Sequence, residues 1–264
     1  MGRTISYQNT GVKRRSRKIR RRRRVLVFLF IVILILAGMK LASASDGILT
    51  RITAVRMLQQ GYPESLVELM ERNPEARQFV MDYPEQADRE EPIDISGDVN
   101  AGEIPLFLQW DERWGYETYG GDFLAVTGCG PTCLSMVYSG LSGDTRWNPY
   151  EVARMAEENG YYVEGSGSSW DLMDGGAERL GLVSETVVFD EPHIRETLDA
   201  GHPIICSVGP GDFTSAGHFI VLCGLDGEGK VIVHDPNSQK NSEKTWELDR
   251  LMSQMKNLWS YSLR

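Results

Sequence analysis

Residues 25–39 are uncharged and strongly apolar without a break, and the run stops at Lys40. With no polar face, such a segment predicts a helix buried all round. Taken from Val25 through Leu41 it has 17 residues, the short end of what crosses a bilayer. Beyond it the apolar positions become periodic. Leu134, Val137, Tyr138 and Leu141 repeat at i, i+3, i+4 and i+7, which predicts a helix opening around 128–131 and closing near 139–140. Asn148, Pro149 and Glu151 form a capping box for a second helix that turns Val152, Met155 and Ala156 inward and stops at Gly160. A third helix is expected from Ser168 to about Gly181, and a fourth from Asp190 to Gly201. Upstream, 65–73 and 74–81 read as two short amphipathic helices with Ser65 and Asn73 as N-caps, whose apolar faces need a partner. Apolar runs bounded by turn residues predict strands over 182–189, 203–208, 218–225 and 230–234, and a terminal strand over 258–263. Asp226, Gly227, Glu228 and Gly229 join the third of these to the fourth in a hairpin. Helices first and an antiparallel sheet second give an α+β fold, with no internal repeat.

The charge is sharply divided. Of the 28 basic residues, 11 lie in residues 1–24, which hold no acid, so the net charge of −9 conceals about −20 over the rest. Dense bases ahead of an apolar run place the N-terminus in the cytoplasm and everything after residue 45 outside the cell membrane. The expected organisation is a basic cytoplasmic tail (1–24), a transmembrane signal-anchor (25–41), an extracytoplasmic helical stalk and linker (42–103) and a globular domain (104–264). Ala42, Ser43 and Ala44 have the small-residue pattern of a signal-peptidase site, so secretion after cleavage is the alternative. An acidic domain and a basic run abutting a membrane segment exclude nucleic acid as the partner. No Gly-x4-Gly-Lys motif is present for a nucleotide.

The chemistry concentrates in Gly128, Cys129, Gly130, Pro131 and Thr132, followed downstream by Gly217, His218 and Phe219, then His234, Asp235 and Pro236. A thiol acts as a nucleophile only as thiolate, and both an adjacent imidazolium and a helix N-terminus lower its pKa. Cys129 is placed to have both. Asp235 is the candidate orienter of His218, with Asn237 as a neighbouring substitute. Four cysteines outside the cell leave a disulfide between Cys206 and Cys223 open, with buried thiols the favoured reading. No Cys-x2-Cys pair exists, and a zinc site from Cys129, Cys133, His218 and Cys223 would waste the glycines, so neither metal nor cofactor is expected. His193, His202 and His234 read as structural.

Nucleophile first, then histidine, then aspartate is the chain order of papain-like cysteine peptidases. With Pro105, Leu106, Phe107, Leu108, Gln109, Trp110, Asp111, Glu112, Arg113 and Trp114 ahead of these blocks, the sequence resembles stand-alone members of the bacteriocin-leader-processing peptidases, family thirty-nine of the cysteine peptidases. The resemblance implies a papain-like fold, the helical part carrying the cysteine and the antiparallel sheet the histidine. It also implies roles. Cys129 attacks the scissile carbonyl, His218 carries the proton, Asp235 fixes the imidazole, and Gln109 donates to the oxyanion together with the Cys129 backbone N–H. The expected function is a membrane-anchored extracytoplasmic cysteine peptidase acting on a peptide or protein substrate. A non-catalytic peptide-binding domain of the same fold, or a cell-wall peptide amidase or acyltransferase, are the alternatives.

Overall fold

The computed structural model describes Phe28, Ile31, Val32, residues 49–87, Arg89 and residues 91–264. The basic tail lies outside the described residues, as does the expected signal-anchor (25–41) apart from Phe28, Ile31 and Val32, which are helical. Among the described residues no helix is long and apolar enough to cross a membrane. The chain divides into two compact units, Met1–Arg56 and Met57–Arg264. In the first, residues 49–56 are helical.

The second unit begins well before the boundary expected at Ile104. Its first helices, α1 (Glu64–Arg72) and α2 (Arg77–Gln86), are joined by a 3-10 turn, Pro74–Ala76. The apolar faces that needed a partner have one. Leu66, Val67, Leu69 and Met70 of α1 are buried, and Phe79 of α2 stacks on Tyr116 at 4.2 Å while accepting a 2.7 Å hydrogen bond from its hydroxyl at the backbone carbonyl. Ser65 does not cap α1, because Pro63 occupies that position; its hydroxyl donates to Asp122 instead. Asn73 does act as a cap, accepting from the Glu75 N–H. The polar stretch before Ile104 is also strapped down, with Arg113 donating to the Asp94 carbonyl and the Asp98 carboxylate.

A small hairpin of β1 (Thr118–Tyr119) and β2 (Asp122–Phe123) leads into α3 (Leu124–Thr127), α4 (Cys129–Ser142) and α5 (Pro149–Glu158). Helix α4 runs past the stop expected at 139–140 and ends at Gly143, whose φ of 70° supplies the left-handed C-cap. Gly140 is mid-helix for packing, since a Cβ there would lie 2.7 Å from the Ile104 Cα and 2.8 Å from the Glu103 carbonyl oxygen. Alanine gains about 1 kcal/mol of helix propensity over glycine, but forced backbone contacts cost about 1–3 kcal/mol. Gly140→Ala is therefore expected to destabilise the domain by up to about 2 kcal/mol, measured as a lower denaturant midpoint.

The third expected helix starts later than Ser168, because residues 167 and 168 pair as β4 (Gly167–Ser168) with β3 (Tyr162–Val163). It is continuous over 171–179, with a π-helical stretch at Leu172–Gly176 running into the short α6 (Ala177–Arg179). Gly175 and Gly176 admit Tyr161 and Leu172 so closely that a Cβ at either would meet a side-chain atom within 2.8 Å. Then come β5 (Leu182–Thr186), α7 (Glu191–Asp199), β6 (Ile204–Val208), β7 (His218–Leu225), β8 (Val231–His234), α8 (Gln239–Ser242), β9 (Thr245–Trp246), α9 (Leu248–Met252) and β10 (Met255–Leu263).

The six-stranded antiparallel sheet has the order β5-β10-β6-β7-β8-β9. It is covered on both sides. Phe219 and Val221 of β7 join the core under α4 and α5, whereas Ile220 and Leu222 join a second core with Ile194, Leu198, Leu248 and Leu251 from α7 and α9. The fold is thus the expected α+β, with helix α4 laid against β7.

Candidate active site

Cys129 is the first residue of α4, and its side chain is half-buried. The flanking glycines are required by packing rather than by an unusual turn. Gly128 has φ −88°, yet a Cβ there would lie 2.5 Å from the Leu124 carbonyl oxygen. One on Gly130 would lie 2.5 Å from Ser168 Oγ. The cysteine is consequently held at a helix N-terminus, where the partial positive charge of unpaired N–H groups favours thiolate.

His218 opens β7 opposite Val208 of β6, and Asp235 follows directly on β8. Val221 of β7 pairs with His234, which brings Asp235 alongside the histidine. His218 Nε2 lies 2.7 Å from Asp235 Oδ1, and both side chains are almost wholly buried. The same Oδ1 accepts the Asn237 N–H at 2.9 Å, and Oδ2 accepts from Asn241 Nδ2 at 2.8 Å. With Nε2 committed to the carboxylate, the other ring nitrogen is left to the hydrogen bond with Cys129.

Gln109 is fixed by three neighbours of the same strand end. His234 Nδ1 donates to the Pro105 carbonyl, the Gln109 N–H donates to the Pro236 carbonyl at 2.7 Å, and Trp110 Nε1 donates to the Asn237 carbonyl. Its side-chain Nε2 donates to the Ala125 carbonyl at 2.7 Å, which leaves one amide hydrogen, while Oε1 is buried with no partner. Gln109 and Cys129 line one cleft, together with Asn73 and Leu69 from the α1 side and the 211–217 loop; its volume is about 510 Å³.

Burial alone would push the Cys129 thiol up. The hydrogen bond and charge of His218, with backbone N–H groups of Phe219 and Gly130, outweigh it and hold the thiol below its ordinary value. Burial likewise opposes the imidazolium. The Asp235 charge and hydrogen bond, then Cys129, prevail and raise His218 to about 10. The two shifts have the same origin, a thiolate–imidazolium pair backed by a carboxylate. Cys133, Cys206 and Cys223 have burial without such a partner, and each is pushed up.

With this geometry, the comparison that matters is with protein families. The family model described as the Peptidase_C39 like family matches residues 102–263, more than half of the chain. This chain belongs to that family. Among curated proteins none matches it. Among solved structures it is similar to the peptidase domain of Streptococcus ComA, a bi-functional ABC transporter involved in a quorum-sensing pathway. The identity is 18% and the TM-score 0.41, over 52% of this chain and 93% of that one.

Within this C39-like domain, Cys129, His218, Asp235 and Gln109 come together as a group. All four cysteines are free, so Cys206 and Cys223 are separate buried or half-buried thiols. Asn237 approaches Asp235 through its backbone N–H, and its side chain accepts from Asn73 instead. His193 pairs with Asp190 at the start of α7, away from the cleft. Among the described residues no group of three or more His, Cys, Asp and Glu could hold a metal ion. The sequence reading missed Asn241, the partner of the second Asp235 oxygen. Its only signal is the spacing of a short capped helix, with Ser238 accepting from the Asn241 N–H.

Proposed function

We propose that this chain is a membrane-anchored, extracytoplasmic cysteine peptidase that cleaves peptide bonds through an acyl-enzyme on Cys129. The observation that carries the reading is the line from Cys129 and His218 at the cleft wall back to the buried Asp235. The thiolate adds to the scissile carbonyl carbon and the carbonyl electron pair moves to oxygen. Collapse expels the amine, which takes the proton from His218, and leaves a thioester on Cys129. Neutral His218 then removes a proton from water. The resulting hydroxide attacks the thioester, and the carboxylic acid departs as the thiolate and imidazolium are restored. By accepting the Nε2–H, Asp235 fixes the tautomer so that the ring nitrogen facing Cys129 is the one that gives up and regains the proton, and it stabilises the imidazolium. The free amide hydrogen of Gln109 and the Cys129 backbone N–H are the oxyanion donors.

Anchoring is supported by the apolar run of residues 25–39 behind 11 bases, and the same asymmetry supports a domain outside the cytoplasm. Intact-mass measurement of the protein recovered from cells separates the two export readings, since signal-peptide cleavage would leave a chain beginning after Ala44.

The activity is tested by incubating the protein with a peptide library and with denatured protein, then identifying new termini and any acyl-enzyme by mass spectrometry. Peptide binding with neither product nor acyl-enzyme would replace the peptidase reading by that of a binding domain. Gln109→Ala is expected to lower kcat by about 100-fold with KM little changed, because an oxyanion donor acts in the transition state alone. An equal loss in binding would mean that Gln109 only shapes the cleft.

A further inference from the structure

The turn that follows Asp235 is gripped from outside by residues far upstream. Asn73 is buried, and its Nδ2 donates to the Asn237 carbonyl at 2.7 Å and to Asn237 Oδ1 at 3.0 Å. Glu75 is half-buried. Its Oε1 accepts from Ser238 Oγ at 2.6 Å, and its Oε2 accepts from the Lys240 N–H at 3.1 Å. Between them lie the Asn237 N–H and the Asn241 amide, which hold the two oxygens of Asp235. Asn73 and Glu75 are rigidly placed, because α1 buries Leu66, Val67, Leu69 and Met70, Ala76 is fully buried, and the Asn73 oxygen caps the Glu75 N–H. Asn73, Glu75 and the helix α1 that leads into them lie ahead of residues 102–263, the segment the family model matches, whereas the turn they hold lies within it.

We propose that Asn73 and Glu75 are positioning residues for the Asp235 carboxylate, acting through the turn at residues 237–240, so that the segment ahead of the family-matching region is a working part of the site. The inference rests on the peptidase reading above. A carboxylate buried beside His218 can serve only in the position set by its other hydrogen bonds, and those come from the gripped turn. Loosening the turn lets Asp235 and the imidazole drift together, and displacements of about 1 Å in such a line cost up to about 100-fold in rate.

The test uses the full-length chain carrying Asn73→Asp, Glu75→Gln or Ser238→Ala. Asn73→Asp keeps the oxygen that caps Glu75 and sets an acceptor against the two Asn237 oxygens in place of the donor, while Ser238→Ala leaves the upstream segment untouched and removes both the donor to Glu75 and the cap on the Asn241 N–H. Two quantities are read: kcat and KM for peptide cleavage, and the pH profile of Cys129 alkylation mapped by mass spectrometry. The expected result is a kcat lower by about 10- to 100-fold, KM within about threefold, and an alkylation profile moved to higher pH. Adding Glu75→Gln to Ser238→Ala should change little beyond Ser238→Ala alone, because the Ser238 hydroxyl is already absent. Cooperatively folded variants with wild-type kcat and alkylation profile would overturn the proposal, as would a change confined to KM. A wild-type protein whose Cys129 reacts no faster than an ordinary thiol at pH 6 would instead overturn the peptidase reading beneath it.

Discussion

Cys129→Ala is expected to lower kcat/KM for peptide cleavage by roughly 10⁵- to 10⁶-fold while leaving the domain folded. The variant removes one sulfur at the start of α4 and introduces no new contact, and alanine suits a helix. The loss falls on kcat, because the cleft wall from Leu69 to Asn73 and the 211–217 loop still present the binding surface. What remains is stabilisation of the oxyanion without a covalent route, which is small beside the nucleophile's share. Cys129→Ser separates space from chemistry: it refills the position, but a hydroxyl lacks the acidity that the pair with His218 confers on a thiol, and a comparable loss is expected. Progress curves over long incubation measure both variants, and intact mass reports whether an acyl-enzyme forms. Activity within tenfold of wild type would rule out covalent catalysis at this residue.

His218→Ala is expected to lower kcat/KM by about 10⁴-fold and to change the pH dependence of Cys129 itself. In the wild-type protein the thiol is held below its ordinary value and the imidazolium is held up to about 10, so the charged pair fills the interval between them. Alkylation should rise as pH climbs through the lowered thiol pKa and then level. Cleavage should fall again as His218 loses its proton near pH 10, because the leaving amine then has no acid to protonate it. Without His218, burial dominates and the thiol moves up, so labelling at pH 6 should drop to the level of an ordinary cysteine, near ~8.5 in pKa. Stability carries the same signature. The raised histidine contributes fully below its ordinary pKa of about 6.5 and loses that contribution as pH rises through about 10. The lowered cysteine acts in the opposite sense, contributing above its ordinary pKa and losing that share as pH falls through its folded value. Removing the imidazolium also strands the buried Asp235, at a cost of about 3 kcal/mol. His218→Asn, which keeps an amide donor near the carboxylate, guards the kinetic comparison against misfolding.

How far the sequence foretold this arrangement depends on the range of the interaction involved. The start of α4 at Cys129, the opening of β7 at His218 and the end of β8 at His234 were legible, since apolar period and glycine punctuation are local signals. The end of α4 was not. Gly140 looks like a helix stop along the chain, and only the approach of Ile104 explains its place inside a helix. The two-residue strands β1 to β4 and β9 are too short to carry a period. The helix expected over 168–181 is present from 171 to 179, but its π stretch, where Gly175 and Gly176 lie against Tyr161 and Leu172, carries no signal in the apolar spacing. In the site, nucleophile, histidine and aspartate could be named from their neighbours. Asn73 and Glu75 could not, because their partners are more than 160 residues away and no periodic pattern links a capping asparagine to a distant carbonyl.

Strand β10, last in chain order, lies between β5 and the four strands β6 to β9. A polypeptide complete only through β9 therefore has a four-stranded sheet with β5 not yet joined to it, and Trp259 and Tyr261 are still missing from the core that backs α4. The core beneath the helix that carries Cys129 is thus closed by the last strand of the chain to be made.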